Sequence, residues 1–176
     1  MRPQEAYALQ WSEVDWEHDT IRIVQSLYRR RGGKGGWELQ PLKTERSRRS
    51  IVVPKSVMEK LRAHQRRQLE ERAIYRKPSV DHGFVFAWHN GSPLHERNLD
   101  QRHFKPTLKR AGLDGFRIYD LRHSLATLLL LRKVQTKIIS ERLGHSLVTL
   151  TLDTYSHVLP TMQKLAAREL EATGLF

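Results

Sequence analysis

Cysteine is absent from the 176-residue sequence, and its absence excludes two large classes of protein. A chain without cysteine is not a disulfide-stapled secreted module, and it has no thiolate with which to bind zinc. Long apolar runs are missing as well: the longest, residues 125–131, contains Thr127 and is too short to cross a bilayer. The first residues lack the pattern of a signal peptide. We therefore expect a cytoplasmic protein with no membrane partner.

Acidic residues are scarce relative to basic ones. The chain has 31 Lys and Arg against 19 Asp and Glu, a formal net charge of +12. So basic a protein attracts polyanions, and nucleic acid is the usual partner. A ribosomal or merely solubilising charge is the alternative that composition leaves open. The length suits one domain with its own hydrophobic core.

The stretch 119–157 is among the most apolar parts of the chain, yet it contains an arginine that should turn inward. On a helix, Arg122 shares a face with Tyr119, Leu125, Ala126 and Leu129. An arginine among apolar side chains needs an anionic partner, and this face offers no acidic residue. A phosphate from outside would suit it, because a guanidinium matches phosphate with two parallel hydrogen bonds.

The second half of this stretch contains a histidine and a potential nucleophile. Leu143-Gly144-His145 predicts the end of a helix followed by a turn, because glycine readily takes the left-handed conformation. Tyr155 follows ten residues after His145. Near a cationic cluster a tyrosine hydroxyl ionises more easily than its ordinary pKa of about 10 implies. The phenolate can then attack phosphorus and form a covalent intermediate.

The segments R-H-S-L-A-T, L-G-H-S and T-L-D-T-Y-S-H, in this order, resemble the tyrosine recombinase (phage integrase) family. The resemblance implies that Arg122 is the second catalytic arginine, His145 the histidine of the LGH motif and Tyr155 the nucleophile. The opening R-x-x-E-A-x-x-L-x-W resembles the first arginine motif of the family. Arg2 would then be the first catalytic arginine, with Glu5 supporting the fold beneath it.

Two further segments match the family, one of them with a departure. L-K-T-E-R-S-R-R-S-I resembles its β-hairpin lysine motif, which makes Lys43 the general acid that protonates the leaving 5′ oxygen. Tyr119 stands where the family usually has histidine; tyrosine can hydrogen-bond a phosphate oxygen but is a poor proton acceptor near neutral pH. Arg132-Lys133 replaces a glycine that the family often has at a helix end, and we expect no chemical consequence.

A dense basic segment extends from Arg29 to Arg49, with eight Lys or Arg and two acidic residues. It could be a charged strand edge that guards against aggregation, or a loop along a phosphate backbone. The density and the interspersed glycines favour the second interpretation. A basic helix predicted over 96–112 adds two further candidates, Arg102 and Lys105. The predicted DNA-binding residues are therefore Arg29, Arg30, Arg31, Lys34, Arg46, Arg48, Arg49, Arg102 and Lys105.

Hydrophobic periodicity predicts a mainly α-helical α+β fold with a small three-stranded antiparallel sheet. The predicted helices cover 2–11, 56–75, 96–112 and 160–172, together with the segment around Arg122. The predicted strands cover 20–28, 37–42, 50–53 and 83–88. The resemblance adds a helix over 147–157 and assigns the whole to the fold of DNA breaking-rejoining enzymes.

Two groups of potential metal ligands have ordinary structural explanations. Glu13, Asp15, Glu17 and Asp19 alternate with other side chains, as in an acidic turn between a helix and a strand. His82, His89, His95 and His103 match no common zinc spacing. We expect neither a metal nor a cofactor.

The resemblance implies a site-specific recombinase or integrase of bacterial or phage origin that cleaves and rejoins double-stranded DNA through a 3′-phosphotyrosine. It implies a homotetramer on DNA and a monomer in isolation. A type IB topoisomerase-like enzyme and a catalytically impaired DNA-binding remnant are the alternatives. In the family the first arginine motif lies well inside the catalytic domain. We therefore expect residues 1–176 to be a fragment of that domain, without its first helices or the core-binding domain.

Overall fold

The computed structural model describes residues 1–30, 36–74, 80–145, 147–149 and 159–174. The helices are α1 (Pro3–Tyr7), α2 (Lys55–Ile74), α3 (Glu96–Leu99), α4 (Lys105–Arg110), α5 (Asp120–Leu131), α6 (Thr136–Leu143) and α7 (Leu159–Ala172). The strands are β1 (Val14–Asp15), β2 (Thr20–Ile23), β3 (Gln25–Arg29), β4 (Trp37–Pro41) and β5 (Arg49–Val52). The predicted α+β class, mainly helical with a small antiparallel sheet, is confirmed.

The predicted three-stranded sheet is present, but its strands differ from the prediction. The sheet has the order β1-β2-β5, and β3 and β4 form a separate antiparallel hairpin. The predicted strand 20–28 is interrupted at Val24, so its first half pairs with β5 and its second half with β4. The local sequence does not show this break, because the pairing of each half is decided by strands that lie elsewhere in the chain.

Most predicted helices are confirmed, with shifted ends. The first helix ends at Tyr7, and the basic helix extends from Glu96 to Arg110 with a π-helical turn over 100–104. The prediction of a strand over 83–88 is wrong, because this segment makes single β-bridges at Phe84 and Ala87. The helix predicted over 147–157 lies almost entirely outside the described residues. None of the helices described is long and apolar enough to span a membrane.

Apolar side chains from the sheet and the surrounding helices form the core. In the sheet register, Ile21 lies opposite both Val14 and Ile51, which places these side chains on one buried face. Met58 of α2 packs against that face. A second cluster joins α5 to α6 and consists of Ala126, Leu130, Ile139 and Leu143. This second cluster fixes the end of α6 relative to α5, and the candidate site lies there.

Helix α5 ends in a Schellman motif whose left-handed residue is a lysine. Lys133 has φ of +60°, its amide donates to Leu130, and the amide of Val134 donates to Leu129. Val134 and Leu129 pack against the same cluster, as the motif requires. The departure from glycine at this position therefore has a conformational consequence, because a side chain with a Cβ atom is strained at positive φ.

Replacing Lys133 with glycine should stabilise the protein by about 1 kcal/mol, because glycine takes positive φ without the Cβ clash. The contact between Lys133 and Glu169 is exposed at both ends, so its loss costs little. Urea denaturation measures the change. Lys133→Ala removes the same contact but keeps Cβ, and it should bring no gain; equal stability of the two variants would contradict the prediction.

Candidate active site

The C-terminal end of α6 binds three arginine side chains through three consecutive carbonyl groups. The bonds are Arg49 Nε to Arg142 O at 2.9 Å, Arg122 Nη2 to Leu143 O at 2.7 Å, and Arg2 Nη2 to Gly144 O at 3.1 Å. The three arginines come from β5, α5 and the residue before α1. Residues that are far apart in the sequence therefore meet at one helix end.

The local backbone explains why these carbonyls accept side-chain donors. Gly144 has φ of +70°, and the predicted turn after Leu143 is confirmed. The amides of Gly144 and His145 donate to Glu141 and Ser140, which satisfies those two carbonyls. The next three carbonyls, at the end of the helix, have no backbone donor within the described residues. The negative end of the helix dipole also favours cations there.

We call Arg2, Arg49, Arg122 and the Glu5 carboxylate beside them the arginine cluster. Glu5 supplies its negative charge and is only 2% exposed. Its Oε1 accepts from Arg2 Nη1 at 3.0 Å and its Oε2 from Arg49 Nη2 at 2.8 Å. Burial alone would raise the pKa of Glu5, but the hydrogen bond and charge of Arg49, together with hydrogen bonds from Arg2, hold it below its ordinary value. The carboxylate is therefore ionised at neutral pH. Among the described side chains, Glu5 is the one carboxylate bonded to an arginine of this group. The positive charges of Arg2, Arg49 and Arg122 therefore exceed the negative charge.

Arg122 is 5% exposed, as its predicted helix face requires. Its Nη2 donates to Leu143, and its buried Nη1 has no hydrogen-bond partner within the described residues. Burial, followed by the charge of Arg2, lowers the pKa of Arg122. A buried guanidinium with an unsatisfied donor binds an anion favourably, and phosphate oxygens suit its geometry.

His145 follows the turn and lies in the field of the arginines. Burial first, and then Arg122, Arg2 and Arg49, lower the pKa of His145 to about 4. The imidazole is consequently neutral near pH 7. A neutral imidazole donates a hydrogen bond from one nitrogen and accepts at the other, so it can position a phosphate without adding charge.

An open cleft of about 960 Å³ lies beside the arginine cluster. Arg2, Lys43 and Tyr119 all line it, so three of the predicted catalytic side chains share one cavity. Tyr119 is 38% exposed, and its ring meets His123 edge-on at 5.0 Å between centroids. Since Arg2 also bonds to Glu5 and Gly144, it connects the cleft to the cluster that contains Arg122.

The predicted nucleophile, Tyr155, lies outside the described residues, as do Arg31 and Lys34. Arg46 is part of the short 3₁₀ turn Glu45–Ser47. Four further residues predicted to bind DNA have exposed side chains: Arg30, Arg48, Arg102 and Lys105. Their exposure leaves them accessible to a phosphate backbone.

Two of the predicted DNA-binding residues are not exposed, and their guanidinium groups bond to other parts of the protein. Arg29 lines the cleft, but its Nη2 donates to the carbonyls of Pro93 and Leu94. The side chain of Arg49 is 7% exposed and is bonded to Glu5 and α6, so it does not belong to a solvent-facing basic surface. The strand alternation could have revealed this, because Arg49 shares its face with the buried Ile51.

The acidic segment before β2 forms local ion pairs. Glu13 bonds to Arg22 at 3.1 Å, and Asp15 bonds to His18 at 2.9 Å. Across the described ranges, no group of three or more potential ligands lies close enough to hold a metal ion. The ion pairs give these acidic side chains structural partners within the protein.

Gly144→Ala should destabilise the protein by more than about 2 kcal/mol, because it adds steric conflict to the cost of positive φ. A Cβ atom at this position would lie 2.7 Å from Arg49 Nη1, which its bonds to Glu5 and Ser47 hold in place. Gly112→Ala is the matched control: φ there is +67° and nothing lies within 4 Å of the added atom. Urea denaturation compares the two, and an equal loss would argue against a rigid Arg49.

The low pKa of His145 makes folding depend on pH in a defined direction. Between about 4 and 6.5 the unfolded chain binds a proton that the folded His145 does not, so stability falls as pH falls through this window. NMR titration of the imidazole should give a pKa near 4 in the wild type. Arg122→Gln should raise it, because the largest neighbouring charge is removed. Titration of His145 near 6.5 in both proteins would refute this electrostatic account.

Sequence comparisons identify relatives over nearly the whole chain. The profile of the phage integrase family matches residues 1–162. A tyrosine recombinase XerC-like protein of Caldanaerobacter subterraneus is 30% identical over 97% of this chain and 46% of its own length. The integrase of Staphylococcus phage L54a is 26% identical over 97% of this chain and 48% of its own length. The chain thus spans about half the length of these relatives.

Solved structures share the fold. The integrase of transposon Tn1549, in complex with transposon right-end DNA, superposes with a TM-score of 0.69 at 23% identity, covering 94% of this chain and 55% of that one. The XerA recombinase gives 0.64 at 21% identity, covering 94% and 53%. With the arginine-lined helix end and the cleft beside it, these matches lead to one conclusion: the chain belongs to the phage integrase family of tyrosine recombinases.

Proposed function

We propose that this chain is the catalytic part of a site-specific DNA recombinase that cleaves and rejoins double-stranded DNA through a 3′-phosphotyrosine at Tyr155. The observation that carries the proposal is the buried Nη1 of Arg122, which lacks a partner among the described residues beside two further arginines and one carboxylate. A phosphodiester would supply the missing acceptor and offset the excess charge. Membership of the family supports the same conclusion.

The arginines act on the phosphate itself. Arg2 and Arg122 donate to the non-bridging oxygens, whose negative charge grows in the transition state. Both guanidiniums are already anchored on α6, so little reorganisation is needed when the phosphate arrives. Neutral His145 and the exposed hydroxyl of Tyr119 add hydrogen bonds that orient the phosphate.

The reaction exchanges one phosphodiester for another and needs no external energy source. The Tyr155 oxygen forms a bond to phosphorus as its proton passes to solvent, and the bond from phosphorus to the 5′ oxygen breaks. Lys43 gives a proton to that departing oxygen as general acid. A 5′-hydroxyl from a partner strand then attacks the phosphotyrosine and gives its proton back to Lys43. This restores the DNA bond, and the released Tyr155 phenolate is protonated from solvent.

The remaining basic residues supply DNA contacts away from the chemistry. Arg30, Arg48, Arg102 and Lys105 are exposed, and we propose that they bind the phosphate backbone together with Arg31, Lys34 and Arg46. We propose a homotetramer on DNA, since strand exchange joins two duplexes that are each cut on both strands. Integrases from a phage, a transposon and Bacillus subtilis are among the relatives, and they support a cytoplasmic role in DNA integration.

The decisive experiment is covalent capture on DNA. The protein is incubated, with EDTA present, with a pool of random-sequence duplexes whose 5′-labelled strand itself carries a nick, so that a short 5′-hydroxyl fragment is lost after cleavage and cannot reseal the strand. Adducts are separated on a denaturing gel and sequenced. We expect an adduct in the wild type and none in Tyr155→Phe, since the phenol oxygen is the nucleophile.

The other outcomes separate the alternatives. Binding to DNA without an adduct would indicate a DNA-binding remnant. An adduct that reseals its own duplex but never joins a second one would indicate a topoisomerase-like enzyme. Cleavage that EDTA abolishes would point to metal-dependent chemistry and contradict the proposal.

A further inference from the structure

Arg49 is a buried arginine for which the proposed chemistry has no direct use. Its side chain is 7% exposed, although its neighbour Arg48 is exposed. Each nitrogen of its guanidinium donates a hydrogen bond within the protein. The acceptors are Arg142 O at 2.9 Å, Ser47 O at 2.9 Å, Glu5 Oε2 at 2.8 Å and Glu5 Oε1 at 3.3 Å. A guanidinium used in this way is not available to bind DNA.

These bonds join the elements that hold the proposed active site. Arg49 opens β5, which follows the loop containing Lys43. Glu5 belongs to α1 and bonds to Arg2, and the carbonyl of Arg142 lies at the end of α6, three residues before His145. The guanidinium also packs directly on Gly144, where an added Cβ would lie 2.9 Å from its Cζ atom. Arg49 is thus in contact with three separate parts of the site.

Arg49 affects Arg2 specifically, because both guanidiniums bond to the carboxylate of Glu5. Oε1 accepts from Arg2 Nη1 at 3.0 Å and from Arg49 Nη1 at 3.3 Å, while Oε2 accepts from the Arg2 backbone and from Arg49 Nη2. Without Arg49, a buried carboxylate would have Arg2 as its counter-ion, and it would draw that guanidinium toward itself. Arg2 would then be displaced from the carbonyl of Gly144 and from the phosphate.

We propose that Arg49 is a positioning residue for DNA cleavage: by sharing Glu5 with Arg2 and clamping the end of α6, it holds Arg2 and His145 in their reactive geometry. This inference rests on the proposed function. It assigns Arg49 a role separate from that of Arg48, which as an exposed neighbour contacts DNA. The two residues therefore form a matched pair for an experiment.

The test compares Arg49→Met with Arg48→Met on a DNA sequence recovered from the covalent capture. Single-turnover adduct formation at saturating DNA measures the chemistry, and a separate titration measures DNA affinity. Arg49→Met should slow adduct formation by about 100-fold, the scale expected for a misplaced reacting group, and leave DNA affinity within about threefold. Arg48→Met should weaken DNA affinity by more than Arg49→Met does.

A double variant distinguishes positioning from general damage to the fold. Glu5→Gln in the Arg49→Met background removes the unpaired buried carboxylate, so Arg2 is no longer drawn away. We expect the double variant to react about tenfold faster than Arg49→Met alone, which is a coupling that independent sites do not show. Arg49→Lys should recover little, because one ammonium cannot replace the forked contacts to Glu5 and α6.

Two results would overturn the proposal. One is loss of DNA affinity in Arg49→Met with an unchanged rate, which would make Arg49 a DNA contact. The other is a double variant, Arg49→Met with Glu5→Gln, whose rate of adduct formation falls by the product of the two single-variant effects. If the wild type forms no adduct, the proposed function fails, and NMR of His145 still decides the role of Arg49. Arg49→Met should then shift the imidazole resonances and raise the pKa, and an unchanged His145 would refute positioning.

Discussion

The structure depends on three carbonyl groups at the end of α6 that cannot be satisfied by the helix itself. The left-handed turn at Gly144 uses the two preceding carbonyls and leaves those of Arg142, Leu143 and Gly144 pointing outward. Arginines from β5, α5 and the start of α1 bond to them. One requirement of helix geometry thereby joins distant elements and concentrates positive charge at one point.

Positive charges that lie close together repel one another, and the arginines at the end of α6 show how the protein offsets part of this repulsion. Glu5 offsets part of it, and Arg122 retains a buried donor without a partner among the described residues. An isolated guanidinium in such surroundings is unfavourable, and a bound phosphate would relieve that cost. Unfavourable electrostatics of this kind are typical of sites that are preorganised for a ligand at some expense of stability. The low pKa of His145 arises from the same cluster.

The two helix ends at Lys133 and Gly144 show how similar local geometry serves different purposes. Both use a residue with positive φ to satisfy carbonyls of the last turn. At Gly144 the absence of Cβ is required, because Arg49 occupies the adjacent space. At Lys133 the side chain extends to Glu169, and this ion pair is exposed at both ends. A side chain is therefore tolerated at one end and excluded at the other.

Local signals in the sequence determined much of this protein. Periodicity located α2, α5 and the basic helix, and Leu143-Gly144-His145 identified a helix end, because these features depend on neighbouring residues alone. The inward orientation of Arg122 also followed from its helix face. Strand alternation places Arg49 on the same face as Ile51, but only the tertiary structure decided that Arg49 bonds to Glu5 there, and that the strand 20–28 is divided between two sheets. Those outcomes depend on contacts between residues distant in the sequence, such as Glu5 with Arg49, Arg49 with Arg142, and β2 with β5, which no local pattern encodes.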